Sequence, residues 1–346
     1  MRKVLSAEMA MQRAIDLSRR GLGKTYPNPI VGAVITTSLG EVISEGFHEG
    51  SDHAEVVAIM AARQLEPGCT IYISLEPCNH QGKTSACTEA IIAAGISKVV
   101  YAIADPNPVA AGGANKLRAS GITVESGLLA EKAAIVNRDW LTKIEKSRPR
   151  IIWKIASTMD GKVAAVDGSS KWITSDVARR DVALLRSQSD AIITGSATVI
   201  ADNPSLTSKG LGKNPVRIVM GEQELPNDSQ IFSDDAETIT VQNRNLPELM
   251  SLLTERGFNR LLIEAGPTFG TAFLKAGLVD EVILYQAPTL LGAGLNSIAD
   301  MGISNLSGRL DFTIHESELV GNDLKSTLFL KEFKKESTGE FIKEAR

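Results

Sequence analysis

The stretch His53-Ala54-Glu55 decides how the first half of this chain is interpreted, together with Cys78 and Cys87 downstream. Zinc binds a histidine and two cysteines, and three protein ligands leave the fourth tetrahedral position open for water. An open position indicates a catalytic site rather than a structural one. Glu55 lies two residues after the histidine, where it is placed to move protons rather than to bind metal.

The ligand groups lie at predicted turns from strand to helix. The segment after His53 is rich in alanine and valine and predicts a helix, Cys87 begins a second helix, and Pro77-Cys78 follows a strand predicted over residues 70–75. Free N–H groups and the dipole of a helix N-terminus favour anionic ligands there. The whole pattern is the signature of zinc-dependent deaminases, although the two cysteines are separated by eight residues instead of the usual two.

Strands and helices alternate along the chain and predict an α/β fold with helices on both faces of the first sheet. Ser6 is expected to cap a helix over residues 7–20, and a charged helix over 128–146 is broken at Ser147-Arg148-Pro149-Arg150. We therefore predict two domains, residues 1–147 and 148–346, with a frayed tail over 334–346. Further strands are predicted over 30–37, 41–47, 98–104, 122–125, 151–156, 191–194, 216–220, 238–241, 260–264, 281–286, 310–315 and 325–333, and further helices over 175–187, 246–257 and 268–276.

The composition excludes several classes of protein. The chain has 346 residues, 43% of them hydrophobic and 23% charged, and a net charge of −4 without a basic block. A chain with this net negative charge and no basic cluster is not expected to bind nucleic acid or an anionic membrane. Three cysteines do not suggest a disulfide framework, and neither a transmembrane run nor a signal peptide is evident. A cytoplasmic location is expected.

The second half offers neither a metal cluster nor an activated nucleophile in its sequence. Its clearest feature is Gly266-Pro267-Thr268-Phe269-Gly270, which follows an apolar strand and begins a helix. Such a turn can hold a nucleotide phosphate through backbone N–H groups, but an ordinary glycine turn has the same pattern. Hydride transfer needs little from a protein beyond placing cofactor against substrate. A reductase is therefore compatible with this half.

Several segments of the first half, taken as a set, resemble the pyrimidine deaminase half of the bifunctional deaminase/reductase family of riboflavin biosynthesis. They are Pro27-Asn28-Pro29-Ile30-Val31-Gly32, His53-Ala54-Glu55-Val56, Leu75-Glu76-Pro77-Cys78-Asn79-His80-Gln81-Gly82-Lys83-Thr84 and Asp105-Pro106-Asn107-Pro108. The resemblance implies a cytidine-deaminase-like three-layer αβα domain, one Zn²⁺, and Glu55 as proton shuttle. It implies zinc ligation by His53, Cys78 and Cys87, and contacts with a phosphorylated diaminopyrimidine substrate from Asn28, His80, Lys83 and Asn107.

His80 and Lys83 also have a meaning of their own, because the spacer that carries them is tethered near the metal at both ends. A cation and an imidazole there could cradle a phosphate. A solvated loop is the equally simple alternative, since charges usually lie on the surface.

Segments of the second half resemble the reductase half of the same family, which is similar to dihydrofolate reductase in fold. They include Lys154-Ile155-Ala156-Ser157, Ser170-Lys171-Trp172-Ile173-Thr174, Ala201-Asp202-Asn203-Pro204-Ser205-Leu206-Thr207 and Glu264-Ala265-Gly266-Pro267-Thr268. The resemblance implies an NADPH site lined by Ala156, Trp172, Thr198, Asp202, Gly266, Pro267, Thr268, Phe269, Gly270, Thr271 and Ala272. It implies that Ser170, Arg186, Leu206, Lys209 and Glu264 face the ribosyl phosphate, and Arg186 could pair with that phosphate directly. Relatives commonly have an arginine at or near position 209, where a lysine keeps the charge but loses the bidentate fork.

The leading hypothesis is a bifunctional enzyme that deaminates the pyrimidine and then reduces its ribosyl side chain to ribityl with NADPH. Three alternatives remain at this point. The C-terminal half could be a binding or assembly module, the zinc could be structural in a pure reductase, or the enzyme could deaminate a nucleic acid. Glu55 argues against a structural zinc, and the acidic balance argues against nucleic acid. The resemblance also implies a homo-oligomer, a dimer or tetramer.

Overall fold

A computed structural model describes residues 3–79 and 86–331 of the chain. In its N-terminal part Ser6 caps the first helix, since the Ser6 side chain accepts a hydrogen bond from the Met9 N–H, as predicted. The elements of this part are α1 (Ala7–Ser18), β1 (Gly32–Thr36), β2 (Val42–Phe47), α2 (Ala54–Ala61), β3 (Thr70–Leu75), α3 (Cys87–Ala93), β4 (Lys98–Ile103), α4 (Gly113–Ala119), β5 (Thr123–Ser126), α5 (Ala130–Val136) and α6 (Arg138–Lys146).

These strands form one sheet in the order β2-β1-β3-β4-β5. Strand β1 runs antiparallel to both of its neighbours, whereas β3, β4 and β5 are parallel. Successive side chains of a strand point to opposite faces, so Val34 packs with the core beneath α1 and α5, while Ala33 and Ile35 pack with α2, α3 and α4. The expected three-layer αβα arrangement is confirmed.

The single helix predicted over residues 128–146 is wrong, because the structure has two helices that meet at Asn137. The Asn137 side chain accepts a hydrogen bond from the Ile30 N–H at 3.0 Å and donates one to the Ile30 carbonyl at 2.7 Å. A side-chain amide engaged with a distant backbone competes with continuation of the helix. The partner is 107 residues away in sequence, which a local pattern cannot reveal.

Two glycines bring helices close to the segments that carry the predicted metal ligands. A Cβ at Gly46 on β2 would collide with the Ala54 carbonyl at the start of α2, and a Cβ at Gly113 on α4 would collide with the Pro77 carbonyl. Only glycine allows such a close backbone approach. Pro77 precedes Cys78, and Ala54 follows His53, so these contacts set the position of both ligands.

The remaining elements belong to two compact units of the chain. Residues 1–151 and 180–266 form the first unit, and residues 152–179 with those from 267 onward form the second. The boundary between 147 and 148 stays a prediction. The elements are β6 (Arg150–Thr158), β7 (Lys162–Ala164), α7 (Asp176–Ser187), β8 (Ala191–Gly195), α8 (Ser196–Asp202), β9 (Val216–Met220), β10 (Thr238–Val241), α9 (Leu246–Glu255), β11 (Arg260–Ile263), α10 (Pro267–Lys275), β12 (Glu281–Ala287), β13 (Leu295–Asn296), β14 (Phe312–Val320) and β15 (Asp323–Leu330).

Within the first unit, strands β10, β9, β8 and β11 pair in that order and are all parallel. Within the second unit, β12 pairs parallel with β6 and antiparallel with β15, which in turn forms an antiparallel hairpin with β14. Helix α8 and the short strands β7 and β13 were not predicted from the sequence. Strand β14 begins two residues later than predicted, and β15 begins two residues earlier than predicted. Short elements carry too few residues for a periodic pattern.

Buried charges surround the start of β11 in the first unit. Asp139 accepts from Arg150 at 3.2 Å and from Arg260 at 3.4 Å. Burial alone would raise the pKa of Asp139, but the charges of Arg260 and Arg150 outweigh burial and lower it. Asp190 accepts from the backbone N–H groups of Asn259 and Arg260 at 2.7 and 2.9 Å. At Asp190 burial prevails and raises the pKa to about 6.

We expect Asp190→Asn to make the protein more stable above pH 6 by up to about 3 kcal/mol, and to have little effect at pH 4. The pKa of Asp190 is higher in the folded than in the unfolded chain, so folding takes up a proton, and stability from this group is lost as the pH rises from about 4 to about 6. Urea unfolding of both proteins at pH 4, 5, 6 and 7 measures the difference. A difference that stays constant over this range contradicts the expectation.

Candidate active sites

His53, Cys78 and Cys87 come from three separate segments that end at one place. His53 is the N-cap residue of α2 with an extended backbone, Cys78 lies three residues after β3, and Cys87 is the first residue of α3. Both helices therefore begin at the same point, and their N-terminal N–H groups favour negative charge there. The Cys87 N–H lies 3.5 Å from the Cys78 sulfur.

The three side chains have the spacing of a metal site. His53 Nδ1 lies 3.1 Å from Cys87 Sγ and 3.6 Å from Cys78 Sγ, and all three ligand atoms lie within 4.8 Å of one another. Tetrahedral zinc at normal bond lengths separates its ligand atoms by about 3.5–3.8 Å. The donor set and its geometry therefore fit Zn²⁺. Among residues 3–79 and 86–331, this is the one group of at least three histidine, cysteine or acidic side chains close enough to hold a metal.

The pKa values of the two thiols shift in opposite directions. The hydrogen bond from Cys87, with a further contribution from His53, lowers the pKa of Cys78 to about 4. The same hydrogen bond and burial raise the pKa of Cys87, and the contact with Cys78 raises the pKa of His53. A pair that already carries one negative charge is suited to a divalent cation, whose binding releases the remaining thiol proton.

Glu55 lies in the first turn of α2 and is only 3% exposed. Burial raises the pKa of Glu55 to about 7, and the charge on Cys78 adds to this effect. A carboxyl group with a pKa near the working pH can both accept and donate a proton, which is the property of a general acid–base catalyst. Glu55 therefore has the environment that its predicted role requires.

His48 is a residue of this site that the sequence analysis missed. Its ring centroid lies 5.2 Å from that of His53, and its Nδ1 lies 3.1 Å from the Pro29 carbonyl. Burial lowers the pKa of His48, so the ring is neutral and can donate one hydrogen bond. The available signal was its place immediately after β2 in a chain with only four histidines.

Two of the predicted substrate residues, Asn28 and Asn107, lie in loops near the metal group. Asn28 is exposed and precedes Pro29. The Pro29 carbonyl contacts His48, whose ring packs beside the ring of His53. Asn107 lies in the loop after β4, three residues before Ala110, and Ala110 packs against both cysteines. Asn107 Oδ1 accepts from the Val109 N–H at 3.2 Å. His80 and Lys83 lie outside the described residues.

In the first unit, Arg186 and Glu264 form a partly buried ion pair. Arg186 Nε and Nη2 donate to the two carboxylate oxygens of Glu264 at 2.6 and 2.9 Å, and Nη1 donates to the Thr207 carbonyl at 3.1 Å. Burial would lower the pKa of Arg186, but the charge of Glu264 raises it. The guanidinium fork thus faces a carboxylate, so direct pairing of Arg186 with a substrate phosphate stays a prediction.

Leu206 and Lys209 follow in the loop after α8 and both have positive φ angles, 50° and 53°. Bulky residues rarely adopt this backbone conformation, and the few that do are concentrated at functional sites. Leu206 is buried, whereas Lys209 is exposed and its Nζ donates to Ser205 Oγ at 2.8 Å. Whether Lys209 contacts the substrate phosphate stays a prediction.

The predicted NADPH residues are divided between the units. In the first unit, Thr198 and Asp202 lie on α8, and Thr198 Oγ1 accepts from the Gly266 N–H at 3.4 Å. In the second unit, Ala156 lies on β6, Trp172 lies before α7, and most of α10 is formed by Pro267, Thr268, Phe269, Gly270, Thr271 and Ala272. Ser170, which was predicted at the ribosyl phosphate, also lies before α7. Trp172 is 72% exposed, with the Arg179 guanidinium 4.1 Å from its ring centroid.

Gly270→Ala is expected to abolish NADPH-dependent reduction while leaving deamination intact. A Cβ at Gly270 would overlap the Trp153 indole, which is only 1% exposed and cannot move away. Overpacking of this kind costs about 1–3 kcal/mol or more and displaces the helix. NADPH oxidation and thermal unfolding measure the effect. Gly308→Ala is the matched control, because its Cβ would meet only ordinary contacts. Unchanged reduction in Gly270→Ala would contradict the argument.

None of the helices within residues 3–79 and 86–331 has the length and hydrophobicity of a membrane-spanning segment.

Comparisons with known proteins agree with both halves of this description. The family model described as "Cytidine and deoxycytidylate deaminase zinc-binding region" matches residues 5–103, and the model described as "RibD C-terminal domain" matches residues 149–326. The riboflavin biosynthesis protein RibD of Mycobacterium tuberculosis is 41% identical over 334 residues, covering 94% of this chain and 98% of the relative. That of Escherichia coli is 38% identical over 358 residues, covering 92% and 97%.

Solved structures give the same result for the fold. A diaminohydroxyphosphoribosylaminopyrimidine deaminase/5-amino-6-(5-phosphoribosylamino)uracil reductase from Thermotoga maritima superposes with a TM-score of 0.87 at 34% identity, covering 94% of this chain and 98% of that one. RibD of Acinetobacter baumannii gives a TM-score of 0.86 at 36% identity, covering 94% and 99%. The predicted combination of a cytidine-deaminase-like domain with a reductase domain, and of zinc with NADPH, is confirmed. The chain belongs to the RibD family, the bifunctional deaminase–reductases of riboflavin biosynthesis.

Proposed function

We propose that this chain catalyses two consecutive steps. The first is hydrolytic deamination of 2,5-diamino-6-ribosylamino-4(3H)-pyrimidinone 5′-phosphate. The second is NADPH-dependent reduction of the ribosyl side chain, giving 5-amino-6-ribitylaminouracil 5′-phosphate. The observation that carries the proposal is the His53, Cys78 and Cys87 group beside buried Glu55, in a chain whose remainder matches the RibD C-terminal domain.

In the deaminase, His53, Cys78 and Cys87 would hold the zinc ion. Bound there, Zn²⁺ supplies a Lewis acid that activates water. Glu55 accepts a proton from the attacking water and delivers a proton to the departing amino group, so that a C–O bond forms, the C–N bond breaks and ammonia leaves. Asn28, Asn107, His80 and Lys83 hold the substrate. The pKa of about 7 for Glu55 supports this shuttle role.

In the reductase, the residues predicted at NADPH and at the ribosyl phosphate orient the two reactants for hydride transfer to C1′ of the opened sugar. Such a step depends on placement more than on catalytic acids or bases. The partly buried Arg186–Glu264 pair supports a role for Glu264 at the substrate, since two hydrogen bonds from Arg186 hold its carboxylate in one orientation. Arg186 would act there through Glu264 as well as through the phosphate.

Product analysis by mass spectrometry tests both steps and their order. Purified zinc-loaded protein is given the diaminopyrimidine ribotide with and without NADPH. We expect only deaminated product without NADPH, and deaminated and reduced product with it. Deamination alone under both conditions would contradict the second step, and reduction without prior deamination would contradict the order.

The proposal also covers the oligomeric state, the domain boundary and the cellular location of the enzyme. The chain forms a homo-oligomer, a dimer or a tetramer, as the family resemblance implies. The domain boundary lies near residue 147, which the matched ranges 5–103 and 149–326 support. The enzyme acts in the cytoplasm, which is supported by three free cysteines, because a reducing compartment keeps metal-binding thiols from forming disulfides.

A further inference from the structure

The loop that carries Asn28 does not stand alone in the first unit. The Tyr26 ring centroid lies 5.7 Å from that of Phe258, and Lys213 Nζ lies 4.7 Å from the Tyr26 centroid. Pro27 lies beside Gly257, where an added Cβ would be 3.5 Å from the Pro27 Cβ. Residues 257–259, from the C-terminal half of the sequence, therefore pack against the deaminase loop that carries Asn28.

Asn259 makes the polar contact between this segment and the loop. Its Nδ2 donates to the Asn28 carbonyl at 3.2 Å. Its own backbone is fixed on both sides, because its N–H donates to Asp190 at 2.7 Å and its carbonyl accepts from the Arg150 N–H at 2.8 Å. Asn259 is only 7% exposed. An amide that is buried and held at its backbone can define the direction of the group it binds.

The hydrogen bond acts on the orientation of Asn28. The Asn28 N–H donates to the Thr25 carbonyl at 2.9 Å, and the Asn28 carbonyl also accepts from Thr25 Oγ1 at 3.2 Å. Thr25 belongs to the same loop, so its bonds move with the loop. Asn259 binds the Asn28 carbonyl from outside the loop, and this bond limits rotation of the peptide from which the exposed Asn28 side chain projects.

Asn259 lies far from the reductase residues along its own strand. It immediately precedes β11, whereas Glu264 immediately follows the end of β11. The two positions are five residues apart, a distance of about 16 Å at the usual rise along a strand. A change confined to the Asn259 side chain is therefore expected to leave Glu264 in place.

We propose that Asn259 is a positioning residue for deamination, which acts by holding the Asn28 carbonyl so that the Asn28 amide faces the pyrimidine substrate. The proposal rests on the substrate contact proposed for Asn28. It makes part of the C-terminal half of the sequence a structural component of the deaminase site. The deaminase of this chain then depends on residues that lie outside the range matching the deaminase family.

Asn259→Leu in the full-length zinc-loaded enzyme tests this inference. Leucine has a similar volume and keeps the backbone hydrogen bonds but cannot donate to the carbonyl. We expect KM for deamination to rise about threefold to tenfold, which is the equivalent of one neutral hydrogen bond. We expect kcat to change by less than about twofold, because a contact that binds substrate and transition state equally affects KM alone. Zinc content and NADPH-dependent reduction remain unchanged.

A double-mutant cycle separates positioning from general loosening of the structure. In an Asn28→Ala background, Asn259→Leu is expected to have no further effect on KM, because both changes act through one amide. Thr254→Val is the matched control. It removes a hydroxyl that lies 2.8 Å from the Met250 carbonyl and 3.0 Å from the Ser147 carbonyl, away from the Asn28 loop. KM is expected to stay constant.

Several results would overturn the inference. Unchanged KM in Asn259→Leu, additive effects in the double mutant, or a fall in zinc content together with kcat would each do so. If Asn28→Ala itself leaves KM unchanged, the substrate contact assigned to Asn28 fails, and the inference fails with it for that separate reason. An equal rise of KM in Thr254→Val would show that the effect belongs to packing rather than to Asn259.

Discussion

Glu55→Gln is expected to lower the rate of deamination by about a thousandfold while zinc content and NADPH-dependent reduction remain at wild-type levels. Glutamine has the size of glutamate but can neither take a proton from water nor deliver one to the leaving amine, and loss of a general acid–base group typically costs about 10²–10⁴ in rate. Glu55 is 3% exposed, so bulk water cannot readily replace it. Ammonia release measures deamination, and NADPH oxidation on deaminated substrate measures reduction.

Glu89→Gln is the matched control for this variant. Glu89 lies two residues after Cys87, as Glu55 lies two residues after His53, and each is in the first turn of its helix. Glu89 differs in being exposed and paired with Lys116. We expect Glu89→Gln to deaminate normally. Retained deamination in Glu55→Gln would remove Glu55 from the shuttle role, whereas loss of zinc from that variant would indicate that the glutamate supports the metal site instead.

Local sequence patterns predicted many of the regular elements within one or two residues. Strands 70–75, 216–220 and 238–241 have the predicted bounds, because apolar β-branched runs between turn residues are a local property. The split of the helix at Asn137 was not predictable, since its cause is a hydrogen bond to Ile30 far away in sequence. Local pattern cannot report a long-range competitor for the backbone.

The same distinction applies to the sites. The metal group was predicted because residue type and spacing carry its chemistry, and the structure brings His53, Cys78 and Cys87 together. The orientation of Arg186 was not predictable, because its partner Glu264 is 78 residues away. The contact of Asn259 with Asn28 spans 231 residues. Which side chains are available for a ligand depends on such distant pairs, and these emerge only from the folded chain.

Cys87→Ala is expected to abolish both zinc binding and deamination, leaving less than about 1% of wild-type deamination, while reduction of deaminated substrate persists. Two remaining ligands cannot fix a tetrahedral ion with one open position, and no water is then activated for attack. The predicted reductase residues all lie between Ala156 and Ala272, on strands, helices and loops other than those that carry the three metal ligands, so we expect reduction not to depend on the metal. Metal analysis of the purified variant and both activity assays measure the result.

Cys69→Ala provides the control, because Cys69 is equally buried but lies in the apolar core with Ile71 and Val99. This variant loses only a small packing side chain, so we expect a destabilisation of about 1 kcal/mol or less with one zinc per chain and normal deamination. Full zinc content in Cys87→Ala would show that the ligand set is wrong. Loss of reduction in Cys87→Ala, but not in Cys69→Ala, would show instead that the metal group stabilises the reductase half, because the same chain then requires its zinc for both activities.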